Sequence, residues 1–229
     1  MPVVAVTGLA VEARIAAGPG VRALAGGLDG QQLAAALERE VARGVGAIIS
    51  FGIAGGLVAD LATGTWLVGR GIVTPTIYRP CDMTWTLTLR ERLPGARYDD
   101  LAGLDAPVTE PAAKRVLQRA TSAIAVDTES HIAAAVAAAH GLPFAVFRVI
   151  ADPVGRALPP AASAALRPGG AINVAAVVRS LARTPSQLPL LVRTAIDARA
   201  ALRALLRGRR RLGGRLGYVE LRSLELDVA

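Results

Sequence analysis

The chain has very few residues of the kinds that bind metal ions or form disulfides. Its 229 residues include one cysteine, Cys81, and two histidines, His131 and His140. A single cysteine excludes an internal disulfide and a cysteine-based zinc site, and two histidines are too few for a histidine-based metal centre. We therefore expect no metal ion, and we predict no organic cofactor either.

Long hydrophobic runs are also missing, although 52% of the residues are hydrophobic. The best candidate, residues 132–150, is interrupted by His140, Gly141, Pro143 and Arg148. The sequence therefore predicts no transmembrane helix. The first residues, MPVVAVTG, contain no basic residue and are typical of a first strand rather than a signal peptide. Together these features predict a cytoplasmic protein.

Positive charge is concentrated in one segment. The formal net charge is +8, and residues 193–215 carry +7 of it, with eight arginines and one acid, Asp197. The remainder of the chain is almost neutral. We therefore divide the chain into a main domain, residues 1–183, and an arginine-rich amphipathic helical extension, residues 184–229.

The extension is predicted to form a long helix over residues 187–207, ended by Gly208. Its leucines form an apolar stripe, and Arg199, Arg203 and Arg207 recur every four residues on another face. The helix either packs on the main domain with its arginines in solvent, or lies on anionic lipid at the periphery of the inner membrane. Nucleic acid is a third interpretation, which the lack of interleaved aromatic residues disfavours.

The most informative stretch is VDTESHIAAAVAAAHGLPFAVFRVIAD, residues 126–152. It starts on a short apolar strand, continues as an alanine-rich helix and ends on a β-branched and aromatic strand, which predicts a βαβ unit of an α/β fold. Asp127 and Glu129 follow the first strand, and Asp152 ends the second. Ligands bind at such strand ends, and paired carboxylates suit general acid chemistry and the stabilisation of a developing cation.

Two motifs resemble those of one family. Residues 126–130 read V-D-T-E-S, Arg148 and Asp152 follow, and residues 52–57 read G-I-A-G-G-L in a predicted glycine turn after a strand. This combination resembles the purine nucleoside phosphorylase and methylthioadenosine/adenosylhomocysteine nucleosidase superfamily. Thr128 stands where that family usually has Met, and Ala151 where it usually has Ser. The resemblance implies a single-domain mixed central β-sheet flanked by helices.

The resemblance also implies roles for individual residues. Asp152 corresponds to the general acid that protonates N7 of the departing adenine, and Glu129 to the acid that binds the ribose hydroxyls and stabilises the positive sugar. Glu12 either activates the attacking water, as in the nucleosidases, or is an ordinary first-turn acid near a helix N-terminus. Five further residues are implied to contact the substrate: Ala54, Gly55, Gly56, Asp127 and Thr128.

A phosphorylase of this kind would use phosphate as its nucleophile. The segment Gly-Pro-Gly-Val-Arg, residues 18–22, offers backbone N–H groups and Arg22 to a phosphate, and Arg148 is the second candidate ligand. The segment lacks the Gly-Lys-Ser/Thr ending of a P-loop. Its alternative interpretation is a plain turn.

The arginine-rich extension and the VDTESHIAAAVA version of the motif narrow the resemblance to the bacterial hopanoid-associated phosphorylases. This implies phosphorolysis of adenosylhopane, a lipid-linked adenine nucleoside, with inorganic phosphate as co-substrate and release of adenine. The resembling nucleosidases imply a homodimer. Two alternatives stay open: a methylthioadenosine-type nucleosidase that uses water on a small nucleoside, and a binding protein without catalysis, which the missing Ser at position 151 favours.

Overall fold

Strands and helices are interspersed along the chain, and the last part is helical. The computed structural model describes residues 1–26, 29–165, 168–171 and 173–220. The strands are β1 (Val3–Thr7), β2 (Val21–Ala25), β3 (Ala47–Gly56), β4 (Trp66–Val73), β5 (Tyr78–Pro80), β6 (Arg97–Gly103), β7 (Ala125–Asp127) and β8 (Phe144–Asp152). The α-helices are α1 (Ala10–Ala16), α2 (Gly30–Ala42), α3 (Met83–Arg92), α4 (Pro111–Thr121), α5 (Ser130–Ala139), α6 (Pro160–Ala164), α7 (Val174–Arg183) and α8 (Leu188–Leu212). Short 3-10 turns lie at Pro168–Gly170, Pro185–Gln187 and Gly214–Gly217.

Five of the strands close into a ring. β3 pairs with β8 in parallel and with β7 in antiparallel orientation. β8 continues to β4, β4 to β6, and β6 back to β7. β1 and β2 extend the sheet beyond β3, and β5 adds to β4. The mixed sheet is therefore wrapped on itself, with β3 at the branch point between the ring and the extension.

Helices cover both faces of this sheet. Val3 and Ala5 of β1 belong to a hydrophobic cluster with residues of α1, α3 and α8, whereas Val4 and Val6 belong to a second cluster with residues of α2 and α5. This division follows because successive side chains of a strand point to opposite faces. The arrangement confirms the predicted mixed central β-sheet flanked by helices.

Two predicted local structures differ from the observed ones. The predicted glycine turn after residue 51 is the second half of β3, which runs to Gly56 with an irregularity between Ala54 and Gly55. The predicted βαβ unit is not a parallel pair, because β7 and β8 lie on opposite sides of β3 and run in opposite directions. Both differences have one cause: β3 is long and pairs with β7 on one side and with β8 on the other. Local sequence patterns do not reveal pairing between such distant segments.

Helix α8 packs on the same sheet as the rest of the chain. It continues to Leu212, past Gly208, where a Cβ atom would lie 2.4 Å from the ring of Phe147. Leu205 and Leu212 are fully buried, and the indole nitrogen of Trp66 donates to the carbonyl of Ala204 at 2.9 Å. Gly208 therefore permits close packing instead of ending the helix. Among the described residues, no helix is both long and apolar enough to cross a membrane.

Candidate active site

Strand β3 brings the two acid-bearing strand ends together. Its residue Gly52 lies opposite Arg148 of β8, and Gly55 lies opposite Asp152 on the same side. On its other side Gly55 lies opposite Val126, one residue before Asp127. The ends of β7 and β8 are therefore separated by a single strand, and that strand carries glycines where the acidic side chains approach.

Arg148 is the centre of a buried charge cluster. Its side chain is fully buried, and its Nη2 lies 2.6 Å from Oδ2 of Asp127 and 3.3 Å from Oε2 of Glu129. Nε and Nη2 also donate to the hydroxyl of Ser50 at 3.1 and 2.6 Å. Burying a guanidinium is costly unless carboxylates and hydrogen bonds replace its water. These partners provide that compensation.

Glu12 reaches the same cluster from the first strand–helix junction. Its Oε2 accepts hydrogen bonds from the backbone N–H groups of Gly8 and Leu9 at 2.9 and 2.8 Å, and its Oε1 accepts from Ile53 at 2.8 Å. A Cβ atom on Gly52 would lie 2.9 Å from the Glu12 carboxyl carbon and 2.7 Å from Nη1 of Arg148. Glu12 is therefore both the capping acid of its own helix and a member of the site.

Burial controls the protonation of the acids in this cluster. It raises the pKa of Glu12, against the opposing effects of Arg148 and of the backbone hydrogen bonds. Burial also raises the pKa of Glu129 to about 7; Arg148 acts against this, while the charges of Asp127 and Glu12 add to it. The Thr128 hydroxyl donates to Oε1 of Glu129 at 2.5 Å. Glu129 therefore keeps its proton to higher pH than an exposed glutamate does.

Asp152 has a different partner. Its Oδ2 forms an ion pair with Nζ of Lys114, a residue of α4 whose side chain is fully buried. Burial raises the pKa of the Asp152 carboxyl, while the Lys114 charge and, more weakly, Arg156 act to lower it. A raised pKa suits a group that has to deliver a proton. Asp152 itself remains partly accessible, with 16% of its side chain exposed.

The structure does not bring Arg22 to this site. Arg22 lies in β2, and its Nη1 forms an ion pair with Oε2 of Glu40 at 3.0 Å. Residues 21 and 22 begin a parallel strand, so the glycine-rich segment before them leads into the sheet and does not form a free anion-binding loop. The remaining predicted site residues lie in β3, in β7 and β8, or directly after β7: Ala54, Gly55, Gly56, Asp127, Thr128, Glu129, Arg148 and Asp152.

Sequence reasoning missed three polar residues of the site. Ser50 and Ser130 have hydroxyl oxygens 2.6 Å apart; Ser50 accepts from Arg148, and Ser130 donates to Asp127. Ser50 was detectable as a polar residue inside the apolar run of β3. Lys114 was detectable as the only lysine in the sequence.

A groove of about 850 Å³ opens beside the charge cluster. Thr128, Ile132, Ala135 and Val136 form one wall, and the opposite walls come from the start of α2 and from β5. The hydroxyl of Thr128 links this groove to Glu129. The site therefore offers a charged inner part joined to a larger space with an apolar wall.

Solved structures with the same fold were found at low sequence identity. The 5'-methylthioadenosine/S-adenosylhomocysteine nucleosidase of Helicobacter pylori aligns with a TM-score of 0.64 and 15% identity, over 93% of this chain and 99% of that one. The futalosine hydrolase of Helicobacter pylori aligns with a TM-score of 0.63 and 14% identity, over 92% and 97%. The Streptococcus pneumoniae nucleosidase aligns with a TM-score of 0.63 and 15% identity, over 93% and 100%. None of the curated proteins matches the chain.

The family comparison is more specific than the structural one. A profile described as the phosphorylase superfamily matches residues 3–183. The matched region includes both sequence motifs, the buried cluster around Arg148 and the Lys114–Asp152 ion pair. This chain belongs to the phosphorylase superfamily.

Proposed function

We propose that the protein cleaves the N-glycosidic bond of an adenine nucleoside. The observation that carries this proposal is the position of three carboxylates, those of Glu12, Glu129 and Asp152, around the second half of β3. Thr128, which donates to Glu129, joins this cluster to the groove. A cluster that combines a protonatable acid with buried anionic groups suits a reaction in which the leaving group gains a proton and the sugar gains positive charge. The fold is also that of a Helicobacter pylori nucleosidase with 5'-methylthioadenosine in its active site.

Each acid has a role that follows from its surroundings. Asp152, with its raised pKa, donates a proton to N7 of adenine as the bond to C1′ breaks. Glu129, held by Arg148 and Thr128, binds the ribose hydroxyls and stabilises the developing positive charge. Asp127 fixes Arg148 and Ser130 behind it. Gly55 permits the sugar to approach between the two acidic strand ends.

The geometry favours water as the nucleophile. Arg22 is paired with Glu40, away from the site, and Arg148 is already surrounded by the carboxylates of Asp127, Glu129 and Glu12. A cluster of three acids and one guanidinium repels an incoming phosphate when its acids are ionised. Glu12, which lies in this cluster, can accept the proton that water loses as it attacks C1′. We therefore propose hydrolysis as the primary reaction.

Phosphorolysis of adenosylhopane is the second candidate. The groove beside Thr128 has an apolar wall formed by Ile132, Ala135 and Val136, and its volume of about 850 Å³ leaves space for a bulky apolar substituent of the nucleoside. A hopane group has this character. In this candidate inorganic phosphate replaces water, and the product is a phosphorylated ribosyl lipid together with adenine.

The deciding experiment measures adenine release from methylthioadenosine and from detergent-solubilised adenosylhopane, each with and without phosphate. We expect adenine release from methylthioadenosine without phosphate. Glu12→Gln should abolish this release, and Glu38→Gln should retain it. Glu38 is an acid of α2 whose carboxylate pairs with His140, and it serves as the matched control. Release only from the lipid and only with phosphate would establish the second candidate. No release from either nucleoside would contradict both and leave the binding-protein alternative.

We also propose a peripheral membrane contact through α7 and α8. No residue of α7 is buried among the described residues, and Val174 and Val178 are 67% and 59% exposed. On α8, Val192 and Ile196 are exposed by 51% and 63%, and arginines accompany them. Asp197, the one acid of this helix, is paired with Arg156. Exposed apolar side chains next to arginines that have no acidic partner among the described residues suit an anionic lipid surface.

Vesicle co-sedimentation tests this contact. Binding to vesicles that contain anionic lipid, and not to neutral vesicles, is expected. Replacing Arg199, Arg203 and Arg207 by Gln should weaken it by about 100-fold, because each arginine contributes about 1 kcal/mol at such a surface. Val178→Asp should weaken it as well, whereas Val116→Asp on α4, where Val116 is 57% exposed, should have no effect. Equal binding by all variants would contradict the proposal. Deleting α8 is unsuitable because its buried leucines belong to the core.

The resemblance to homodimeric nucleosidases leads us to propose a homodimer as well. The chain mass is 23.5 kDa, so light scattering should give about twice this value. A mass equal to that of one chain would contradict this assembly.

A further inference from the structure

Helix α4 buries a charged residue instead of an apolar one. Lys114 is the only one of its eleven residues that is buried, and the side chain is fully inaccessible. Removing an ammonium group from water costs several kcal/mol even after the protein relaxes around it. Lysine is also rare in this chain, which has 26 basic residues and a single lysine. A helix that packed for stability alone would place a leucine or alanine at this position.

Among the described residues, the ammonium group of Lys114 bonds only to the end of β8 and the segment that follows it. Its Nζ pairs with Oδ2 of Asp152 and lies 3.4, 3.3 and 3.2 Å from the carbonyl oxygens of Asp152, Pro153 and Arg156. An ammonium group has three hydrogens, so these acceptors account for all of its donors. One side chain therefore fixes both the direction of the Asp152 carboxyl and the path of the chain next to it.

We propose that Lys114 is a positioning residue for Asp152: it holds the carboxyl toward the site and sets the pH range in which that carboxyl carries a proton. This inference rests on the proposed function, in which Asp152 is the general acid. Lys114 does not touch the substrate, because its ammonium group is enclosed by α4 and by residues 152–156. It acts on the reaction through Asp152 and the segment that follows it.

The charged groups around Asp152 determine the direction of the effect. Lys114 faces the carboxyl from α4, Arg156 from the segment after β8, and Gly55 of β3 brings no charge. A neighbouring cation favours the ionised carboxylate and lowers its pKa. Without Lys114, Asp152 would keep its proton to higher pH, but it would lose its fixed orientation.

Kinetic measurements separate these two effects. In Lys114→Met the alkaline limb of the kcat/KM profile is expected to move to higher pH, and kcat at the optimum should fall by about 10- to 100-fold through lost orientation. KM should change little. Lys114→Arg keeps the charge and should keep the limb where it is in the wild type. Arg115→Met, an exposed neighbour on the same helix, is the matched control and should change neither quantity. If Lys114→Met folds and the alkaline limb of its kcat/KM profile stays at the pH of the wild type, the proposal is overturned.

A second measurement does not need activity. Because the chain has one lysine, protein labelled with ¹⁵N-lysine gives one side-chain ammonium signal in an NMR spectrum. That signal should shift in one step as pH is varied through the titration of Asp152, and the step should vanish in Asp152→Asn. A wild-type signal without this step, or a step that persists in Asp152→Asn, would overturn the proposal even if Lys114→Met fails to fold. If the proposed function fails instead, adenine release is absent from the wild type while the step remains.

Discussion

Asp152→Asn is expected to lower kcat/KM for adenine release by on the order of 10²- to 10⁴-fold. An amide occupies the same space but cannot transfer a proton to N7 of adenine. The measurement is steady-state adenine release at the pH optimum of the wild type. Asp60→Asn, which changes an exposed acid paired with Arg97, should leave the rate unchanged and controls for the loss of one negative charge.

The Asp152 variant also leaves the buried ammonium group of Lys114 without its counter-ion. Part of any loss could therefore come from structural change, because an unpaired buried charge is strongly destabilising. The double variant Asp152→Asn/Lys114→Met removes both charges and should unfold at a higher temperature than Asp152→Asn, while its activity stays low. Near-normal turnover in either folded variant would remove Asp152 from the role of general acid.

Arg148→Met is expected to lower the free energy of unfolding at pH 7.5 by about 3–5 kcal/mol. The change deletes the only guanidinium among the described residues that contacts Asp127 and Glu129, and it leaves buried acids without compensation. Denaturant unfolding measures the loss. Arg70→Met is the control, since its ion pair with Asp100 is on the surface, with 54% of the Arg70 side chain exposed, and its loss should have a much smaller effect.

The loss in Arg148→Met should depend on pH in a known direction. Burial raises the pKa values of Glu129 and Glu12, so the folded protein binds their protons more tightly than the unfolded chain does. The stability that these acids contribute therefore increases as pH falls from about 7 toward the ordinary pKa of a glutamate, and it is lost as pH rises. Once protonated, these acids no longer need a guanidinium. The difference between Arg148→Met and the wild type should therefore shrink from pH 7.5 to pH 5; a constant difference would contradict this assignment.

Local motifs were sufficient to predict which acids lie together at the strand ends, whereas the roles of these acids stay predictions. Both sequence motifs, V-D-T-E-S and the segment from Arg148 to Asp152, span only five residues. Their acids lie at strand ends, where simple strand patterns place them. The mixed sheet flanked by helices followed from the same resemblance, and the family match over residues 3–183 confirms the superfamily. The substrate and the nucleophile stay predictions, because they depend on surfaces that no short motif describes.

Features that depend on contacts between distant segments were missed. The ring of five strands exists because β3 pairs with β7 over its last two residues, a pairing between segments 70 residues apart. Lys114 meets Asp152 across 38 positions, and Ser50 meets Arg148 across 98. Arg22 was predicted as a phosphate ligand because a glycine-rich segment followed by arginine has the composition of an anion-binding loop. Its observed position depends on other parts of the chain, since Arg22 pairs with β1 in the sheet and forms an ion pair with Glu40.

The packing of α8 on β3 and β8 has a consequence for how the protein is made. Every strand of the ring leaves the ribosome before α8 does, yet Phe147 and Val149 of β8 share a hydrophobic cluster with Leu205 and Leu212. During synthesis the sheet therefore presents an apolar face that waits for its last helix, a state prone to aggregation. Ribosome-bound chains stalled before residue 188 should therefore need a chaperone to stay soluble.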